Sequence, residues 1–248
     1  MAELSLNEPA GVLVKTTCVD YPGMLAGSFF LMGCNLFCPY CYNTDLVYCK
    51  KTSGINTIGE LFSHLEKRQG ILKGLVISGG EPLLNPYTPL IIKKARELGY
   101  KIKLDTNGTL CDELESILSD EQLKPDFIAM DIKTSPSKYA SLIARKKSKY
   151  AENPEYFENA LKRSSELISE LPPDCREYRT VLVPPLVTKN DIKDMACILP
   201  EDASWQFAQF QNGSCLDSSY NELTPYTDDE VNELISYAKS LRKGAQLR

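Results

Sequence analysis

Histidine and tryptophan each occur once in the 248 residues. With His64 as the only imidazole, the chain lacks the histidines that commonly complete a closed four-ligand zinc site. Basic residues are in deficit: 28 Lys and Arg against 33 Asp and Glu give a net charge of −5. The sequence pI near 5.2 argues against a broad nucleic-acid-binding surface. No apolar run approaches the roughly 18 residues of a membrane span, and the longest, at residues 26–32, has strand length. Met1, Ala2, Glu3 and Leu4 lack the basic start and apolar stretch of a secretory signal, and no internal repeat or low-complexity tract occurs. A hydrophobic content of 43% with 25% charged residues excludes a disordered or fibrous chain. The expectation is a cytoplasmic protein that binds neither nucleic acid nor membrane.

Cysteine, by contrast, is plentiful. Nine is an odd number, so disulfides cannot pair them all, and without an export signal the thiols are expected to be free or metal-bound. Cys18, Cys49, Cys111, Cys175, Cys197 and Cys215 are scattered and read as ordinary buried or surface thiols. Cys34, Cys38 and Cys41 form a C-x3-C-x2-C triplet, and random placement predicts about 0.01 such triplets in a chain of this composition. Three thiolates this close converge on one soft metal centre. Zinc would need a fourth ligand, and His64 lies in a predicted amphipathic helix. A [4Fe–4S] cluster on three thiolates keeps one iron open for chemistry, so iron–sulfur is favoured, although the spacing alone leaves zinc open. No second C-x2-C pair exists, so no auxiliary cluster is expected.

Short apolar runs alternate with helical patterns. Strands are predicted at residues 26–32, 74–78, 100–105, 126–131, 177–183 and 205–211, and helices at 57–69, 88–98, 112–119, 155–171, 189–198 and 227–242. Pro172 and Pro173 break one helix, and Thr227 with Glu230 makes a capping box that opens the last. The basic stretch around Arg145, Lys146 and Lys147 reads as a solvated helix end. The alternation indicates βαβ units and a parallel α/β sheet, either doubly wound or curved into a partial barrel. The glycine fingerprint of a dinucleotide fold is missing after the first strand. Polar motifs follow the strand ends, where parallel α/β folds place their chemistry.

The triplet, with Tyr40 before its last cysteine and Ile77-Ser78-Gly79-Gly80-Glu81-Pro82 downstream, resembles the radical S-adenosylmethionine (SAM) superfamily. Asp20-Tyr21-Pro22-Gly23 and Asp131-Ile132-Lys133 resemble the glycyl-radical-enzyme activases, above all those of anaerobic ribonucleoside-triphosphate reductase, then pyruvate formate-lyase activating enzyme. The resemblance implies a partial (β/α)6 TIM-like barrel in a single domain, 1–248, with a core at about 24–212 and a C-terminal helix at about 227–243 packed on it. It implies that Cys34, Cys38 and Cys41 hold a [4Fe–4S] cluster, with no side chain acting as a catalytic acid or base. SAM would be bound by Tyr40, Gly79, Gly80, Glu81, Thr106, Lys133 and Gln211. A monovalent cation, Na+ or K+, would sit on Asp105, Thr106, Asp131 and the backbone of Ile132. Where pyruvate formate-lyase activating enzyme carries a histidine against SAM, this chain has Gln211, which weakens that assignment.

The implied activity is reductive SAM cleavage followed by removal of a glycine Cα hydrogen from a partner enzyme, with a flavodoxin- or ferredoxin-type electron donor and an anoxic setting. Two alternatives stand beside it: a small-molecule radical SAM enzyme resembling carboxydeazaguanine synthases, and a non-catalytic metal-binding module.

Overall fold

The computed structural model describes residues 4–145 and 153–248. Lys146 and Lys147, part of the predicted basic helix end, lie outside the described residues. In chain order the elements are β1 (Pro9–Thr17), β2 (Ala26–Leu31), α1 (Thr44–Val47), β3 (Asn56–Thr57), α2 (Ile58–Arg68), β4 (Gly74–Gly79), α3 (Thr88–Glu97) and β5 (Lys101–Thr106). They continue with α4 (Cys111–Ser119), β6 (Phe127–Asp131), α5 (Pro154–Ser169), β7 (Arg176–Leu182), α6 (Lys189–Cys197), β8 (Trp205–Gln209), α7 (Asp228–Leu241) and β9 (Ala245–Leu247). All six predicted strands and all six predicted helices are present. β1, β3, β9 and the four-residue α1 were not foreseen.

The chain divides into two compact units that interleave in sequence. The first comprises Met1–Asn35, Asp45–Thr106 and Asp112–Ile128. Its strands run β3-β1-β2-β4-β5, with β2, β4 and β5 parallel and β1 antiparallel to both its neighbours. The parallel register sets Phe29 beside Ile77 and Leu31 beside Gly79. α2 opens on a capping box in which Thr57 and Glu60 satisfy each other's backbone N–H groups. Its Ile58, Leu61 and Leu65 are buried, one face of a helix. His64 lies on α2 with its ring bonded to the Lys15 carbonyl at 2.9 Å, an ordinary helix residue as anticipated.

The second unit comprises Leu36–Thr44, Asn107–Cys111 and Ala129–Arg248. β7, β8 and β9 are parallel, with Tyr178 beside Trp205 and Trp205 beside Ala245. β3 is an edge strand in the first unit and β9 in the second, and each unit combines parallel strands with helices, the expected α/β pattern. α7 has the foreseen Thr227–Glu230 capping box and lies against α6, with Lys189 and Glu233 paired at 2.6 Å. Trp205 is fully buried, its ring 4.6 Å from that of Phe207. Its indole N–H donates to Thr180 Oγ1 (3.0 Å), and the Thr180 hydroxyl donates to the Ile132 carbonyl (2.9 Å). A buried aromatic thereby fixes the backbone just past β6, where Asp131 and Lys133 project.

Trp205→Ala removes both the ring and the donor, and is expected to lower stability by about 3–5 kcal/mol. Urea denaturation followed by circular dichroism checks this; a loss below about 1 kcal/mol would show that this packing contributes little.

Candidate functional site

In the first unit, β4 runs out into Gly79, Gly80 and Glu81. Gly79 has φ +124°, and a Cβ there would lie 2.3 Å from the backbone N and O of Leu31. A Cβ on Gly80 would lie 2.0 Å from the Gly33 carbonyl oxygen. Only glycine lets these two backbones meet. Gly80 N–H donates to Leu31 O (2.9 Å) and Glu81 N–H to Gly33 O (2.8 Å), which pins the turn carrying Cys34 against the GGE segment. The Glu81 carboxylate is fully buried, and its Oε1 accepts the Leu83 N–H (3.0 Å) and the Thr106 hydroxyl (2.9 Å). The structure therefore brings together Glu81 and Thr106, two of the residues expected to meet SAM. Two-residue alternation on β5 places Lys103 and Asp105 on one face. Lys103 Nζ reaches Asp105 Oδ1 at 2.5 Å with only 1% of its side chain exposed.

In the second unit, Cys38, Tyr40 and Cys41 lie on a short loop held from three sides. Phe37 N–H donates to Ile143 O (2.7 Å), and Asp217 N–H donates to Pro39 O (2.9 Å). The Tyr42 hydroxyl donates to the Gln211 carbonyl and accepts the Gln211 N–H (3.1 Å), while its ring stacks on Phe210. Burial pushes the Cys38 thiol up to about 12, opposed by the positive charge of Lys133. Metal ligation demands thiolates, so a metal bound by this loop would have to expel a proton from Cys38. Tyr40 is buried, and its hydroxyl has no hydrogen-bond partner among the described residues. A buried hydroxyl left this way costs about 1–3 kcal/mol unless a ligand satisfies it.

Around Asp131 the same unit gathers charge. Asp131 Oδ1 accepts from Arg179 Nε at 2.6 Å and Oδ2 from Lys133 Nζ at 2.9 Å; Glu177 approaches Arg179 at 3.9 Å. Burial would raise the Asp131 carboxyl, but Arg179 and Lys133 overcome it and hold the group well below the usual carboxylate range. For Lys133, burial pulls downward, and the Asp131 charge, with Tyr40 and Cys38, lifts it well above the usual lysine range. The Lys133 N–H donates to the Tyr139 hydroxyl (2.8 Å). A cavity of about 250 Å³ opens here, its lining including Asp131, Lys133, Arg179, Gln206 and Arg248.

The expected cation ligands are all engaged by the protein itself. Asp105 holds Lys103, Asp131 holds Arg179 and Lys133, the Thr106 hydroxyl donates to Glu81, and the Ile132 carbonyl accepts from Thr180. Gln211 is exposed and is tied by its backbone, not its side chain, to Tyr42. The cysteine triplet is divided between the units, Cys34 in the first and Cys38 and Cys41 in the second. No cysteine forms a disulfide. Of the scattered thiols, Cys215 is buried; burial pushes it up and the charge of nearby Cys41 adds to that.

Sequence reasoning missed Arg179, Tyr42, Tyr139, Lys103 and the neighbourhood of Cys215. A signal existed for two of them: Lys103 and Arg179 each have an acid two residues away in the same strand, Asp105 and Glu177, so that alternation puts opposite charges on one face. Nothing local marks the others.

The family model described as the Radical SAM superfamily matches residues 29–196. A protein of Methanocaldococcus jannaschii named "Putative glycyl-radical enzyme activating enzyme" is 29% identical over 234 residues, 92% of this chain and 90% of its own. The 7-carboxy-7-deazaguanine synthase of Aquifex aeolicus is 36% identical over 99 residues, and the pyruvate formate-lyase-activating enzyme of Staphylococcus aureus 30% over 123. Those two alignments span 43% and 49% of the relatives and 38% and 46% of this chain. Among solved structures, the radical SAM enzyme coproporphyrinogen III oxidase of Escherichia coli superposes with a TM-score of 0.53 at 12% identity, over 90% of this chain and 54% of its own, a likeness of fold.

Because its folded-state pKa is depressed, Asp131 contributes stability above its unfolded pKa of about 3.9, and that contribution fades as pH falls below it. Asp131→Asn is expected to cost about 2 kcal/mol at pH 7, since it leaves two cations on a neutral amide. The gap to the unsubstituted protein should begin to narrow as pH falls below about 4 and go on narrowing toward the depressed folded-state value, as measured by thermal denaturation across pH. A gap independent of pH would refute the charge argument.

Proposed function

We propose that this chain, which belongs to the radical SAM superfamily, is an activase that installs a glycyl radical on a partner enzyme, anaerobic ribonucleoside-triphosphate reductase. The observation that carries the reading is the likeness to the M. jannaschii protein, which extends over nine-tenths of both chains. The matches to the other two relatives stop at less than half of either partner. One radical SAM domain across residues 1–248 serves this reading.

The residues present fit the implied groups. The buried Tyr40 hydroxyl, without a hydrogen-bond partner among the described residues, is open to a polar ligand atom, and Gly79 and Gly80 let the turn carrying Cys34 close on the GGE segment. Cys34, Cys38 and Cys41 would hold a [4Fe–4S] cluster. Once bound and reduced by one electron from a flavodoxin- or ferredoxin-type donor, that cluster would supply the reductive cleavage of SAM into methionine and a carbon radical able to take a hydrogen atom from glycine Cα.

The chain's own part is to bind, orient and exclude water. The buried Glu81 carboxylate, its direction fixed by Leu83 and Thr106, receives the ammonium of methionine, with Gly79 and Gly80 letting the backbone come close. Lys133, held charged by Asp131, meets the SAM carboxylate or ribose. Tyr40 lies along the adenine, and Gln211 contacts a ribose hydroxyl. No step is assigned to a monovalent cation, because the oxygens expected to hold it already have protein partners. A flavodoxin- or ferredoxin-type protein donates the electron, and the glycyl partner docks transiently.

A small-molecule substrate is the second reading, favoured by the 36% identity to the deazaguanine enzyme over its 99 aligned residues. The two separate in one experiment. After anaerobic reconstitution and dithionite reduction, the protein should make 5′-deoxyadenosine from SAM and generate the glycyl doublet in anaerobic ribonucleotide reductase by electron paramagnetic resonance. Cys38→Ala should do neither. SAM turnover stimulated only by a small molecule from a purified panel would replace the activase reading, and a zinc-loaded protein without SAM cleavage would leave a metal-binding module. Gly80→Ala, whose Cβ collides with the Gly33 backbone beside Cys34, is expected to retain less than about half the reconstituted iron while keeping its circular dichroism. Unchanged iron would show that this close approach does not shape the cluster loop.

A further inference from the structure

The family resemblance assigns a monovalent cation to Asp105 and Asp131, yet both carboxylates already carry side-chain cations. The first unit shows this most clearly. Lys103 is among the largest fully buried side chains, and its Nζ sits 2.5 Å from Asp105 Oδ1. Its ammonium also lies 5.7 Å from the centre of the Phe127 ring, whose π face suits a desolvated cation. Phe127 is itself packed against Tyr21, with ring centres 6.0 Å apart. An ammonium so enclosed stays where it is. An alkali ion placed on Asp105 would face a like charge across a low-dielectric interior, where repulsion is barely screened.

In the second unit the cations beside Asp131 likewise match its acids, even before Arg248 on the same cavity is counted. Asp131 and Glu177 bring two negative charges, Lys133 and Arg179 two positive ones. A further cation there would be uncompensated.

We propose that Lys103 supplies from within the chain the positive charge that the family resemblance assigns to a bound alkali ion at Asp105, so that SAM binding here requires neither Na+ nor K+. The proposal rests on the SAM site described above. Lys103 is a positioning residue: it acts through Asp105, fixing the direction of the carboxylate by the ion pair. Of the two chain segments that carry acids toward SAM, this one presents K-x-D on its strand and the other D-x-K, so each acid has a lysine two residues away on the same face.

The test measures SAM affinity of the cluster-loaded protein by calorimetry in KCl, NaCl and tetramethylammonium chloride at equal ionic strength. The unsubstituted protein is expected to bind SAM within about twofold in all three salts, whereas Lys103→Met, which leaves Asp105 without its ammonium, should lose about tenfold in tetramethylammonium chloride and recover in KCl or NaCl. Rescue by a small cation separates charge supply from a structural role, which salt would not restore. Thallium-205 resonance gives a readout independent of SAM: the variant should bind Tl+ and the unsubstituted protein should not. If Lys103→Met does not fold, the salt series and the thallium signal on the unsubstituted protein decide alone. Affinity that collapses about tenfold without Na+ or K+, or Tl+ bound by the unsubstituted protein, overturns the proposal while leaving the activase reading intact. Failure to bind SAM in every salt overturns both, and a lack of glycyl radical with normal SAM binding overturns only the activase reading.

Discussion

A carboxylate taken out of water has to be met by positive charge or it will not stay ionised. In the second unit that requirement falls on Asp131, and the way it is met arranges much of what surrounds it. Arg179 reaches it from β7 and Lys133 from two residues further along the chain, at 2.6 and 2.9 Å. Because Arg179 also faces Glu177, the group is neutral as a whole. The same Lys133 charge opposes the rise of the Cys38 thiol and touches the field around Tyr40, so one lysine links the acid to the cysteine loop. Behind it, the Trp205–Thr180–Ile132 hydrogen-bond series keeps the strand end from drifting.

The loop that carries Cys38 and Cys41 owes its shape to backbone partners distant in sequence. Ile143, Asp217 and Gln211 each secure one point of it. In the first unit the corresponding work is done by the meeting of Gly80 with Gly33, which sets the approach to Cys34. The cysteine loop depends on these partners alone, whereas the GGE segment continues β4 and is also bonded to Leu31 of β2. Sites that bind a cofactor through a loop need such external supports, because a loop fixes few of its own dihedrals.

Much of this was legible beforehand. Alternating apolar runs and helical periods located the parallel strands, since burial on both faces demands continuous hydrophobic stretches such as Leu75-Val76-Ile77. The Thr227–Glu230 capping box was visible because both partners lie within one turn. β1 escaped because Val14, Lys15 and Thr16 are exposed on an antiparallel strand and break the apolar run. β3 and β9, two and three residues long, carry too little sequence to register. At the site, cysteine spacing and the GGE segment stood out because they are local in sequence. The Asp131–Arg179 pair spans 48 positions and the Tyr42–Gln211 contact 169, and no periodicity records either. The monovalent cation was expected from resemblance alone, and the pairing of Lys103 with Asp105 became visible only with the side chains in place.

The central claim is that a hydrogen atom passes from a glycine of a partner polypeptide to SAM-derived carbon. Its most direct measurement is isotopic. Anaerobic ribonucleotide reductase labelled with deuterium at glycine Cα is incubated with the reduced, SAM-loaded protein, and the 5′-deoxyadenosine is analysed by mass spectrometry. The account predicts one deuterium per 5′-deoxyadenosine formed, appearing together with the glycyl radical signal. Unlabelled 5′-deoxyadenosine, produced at the same rate whether or not the partner is present, would contradict it.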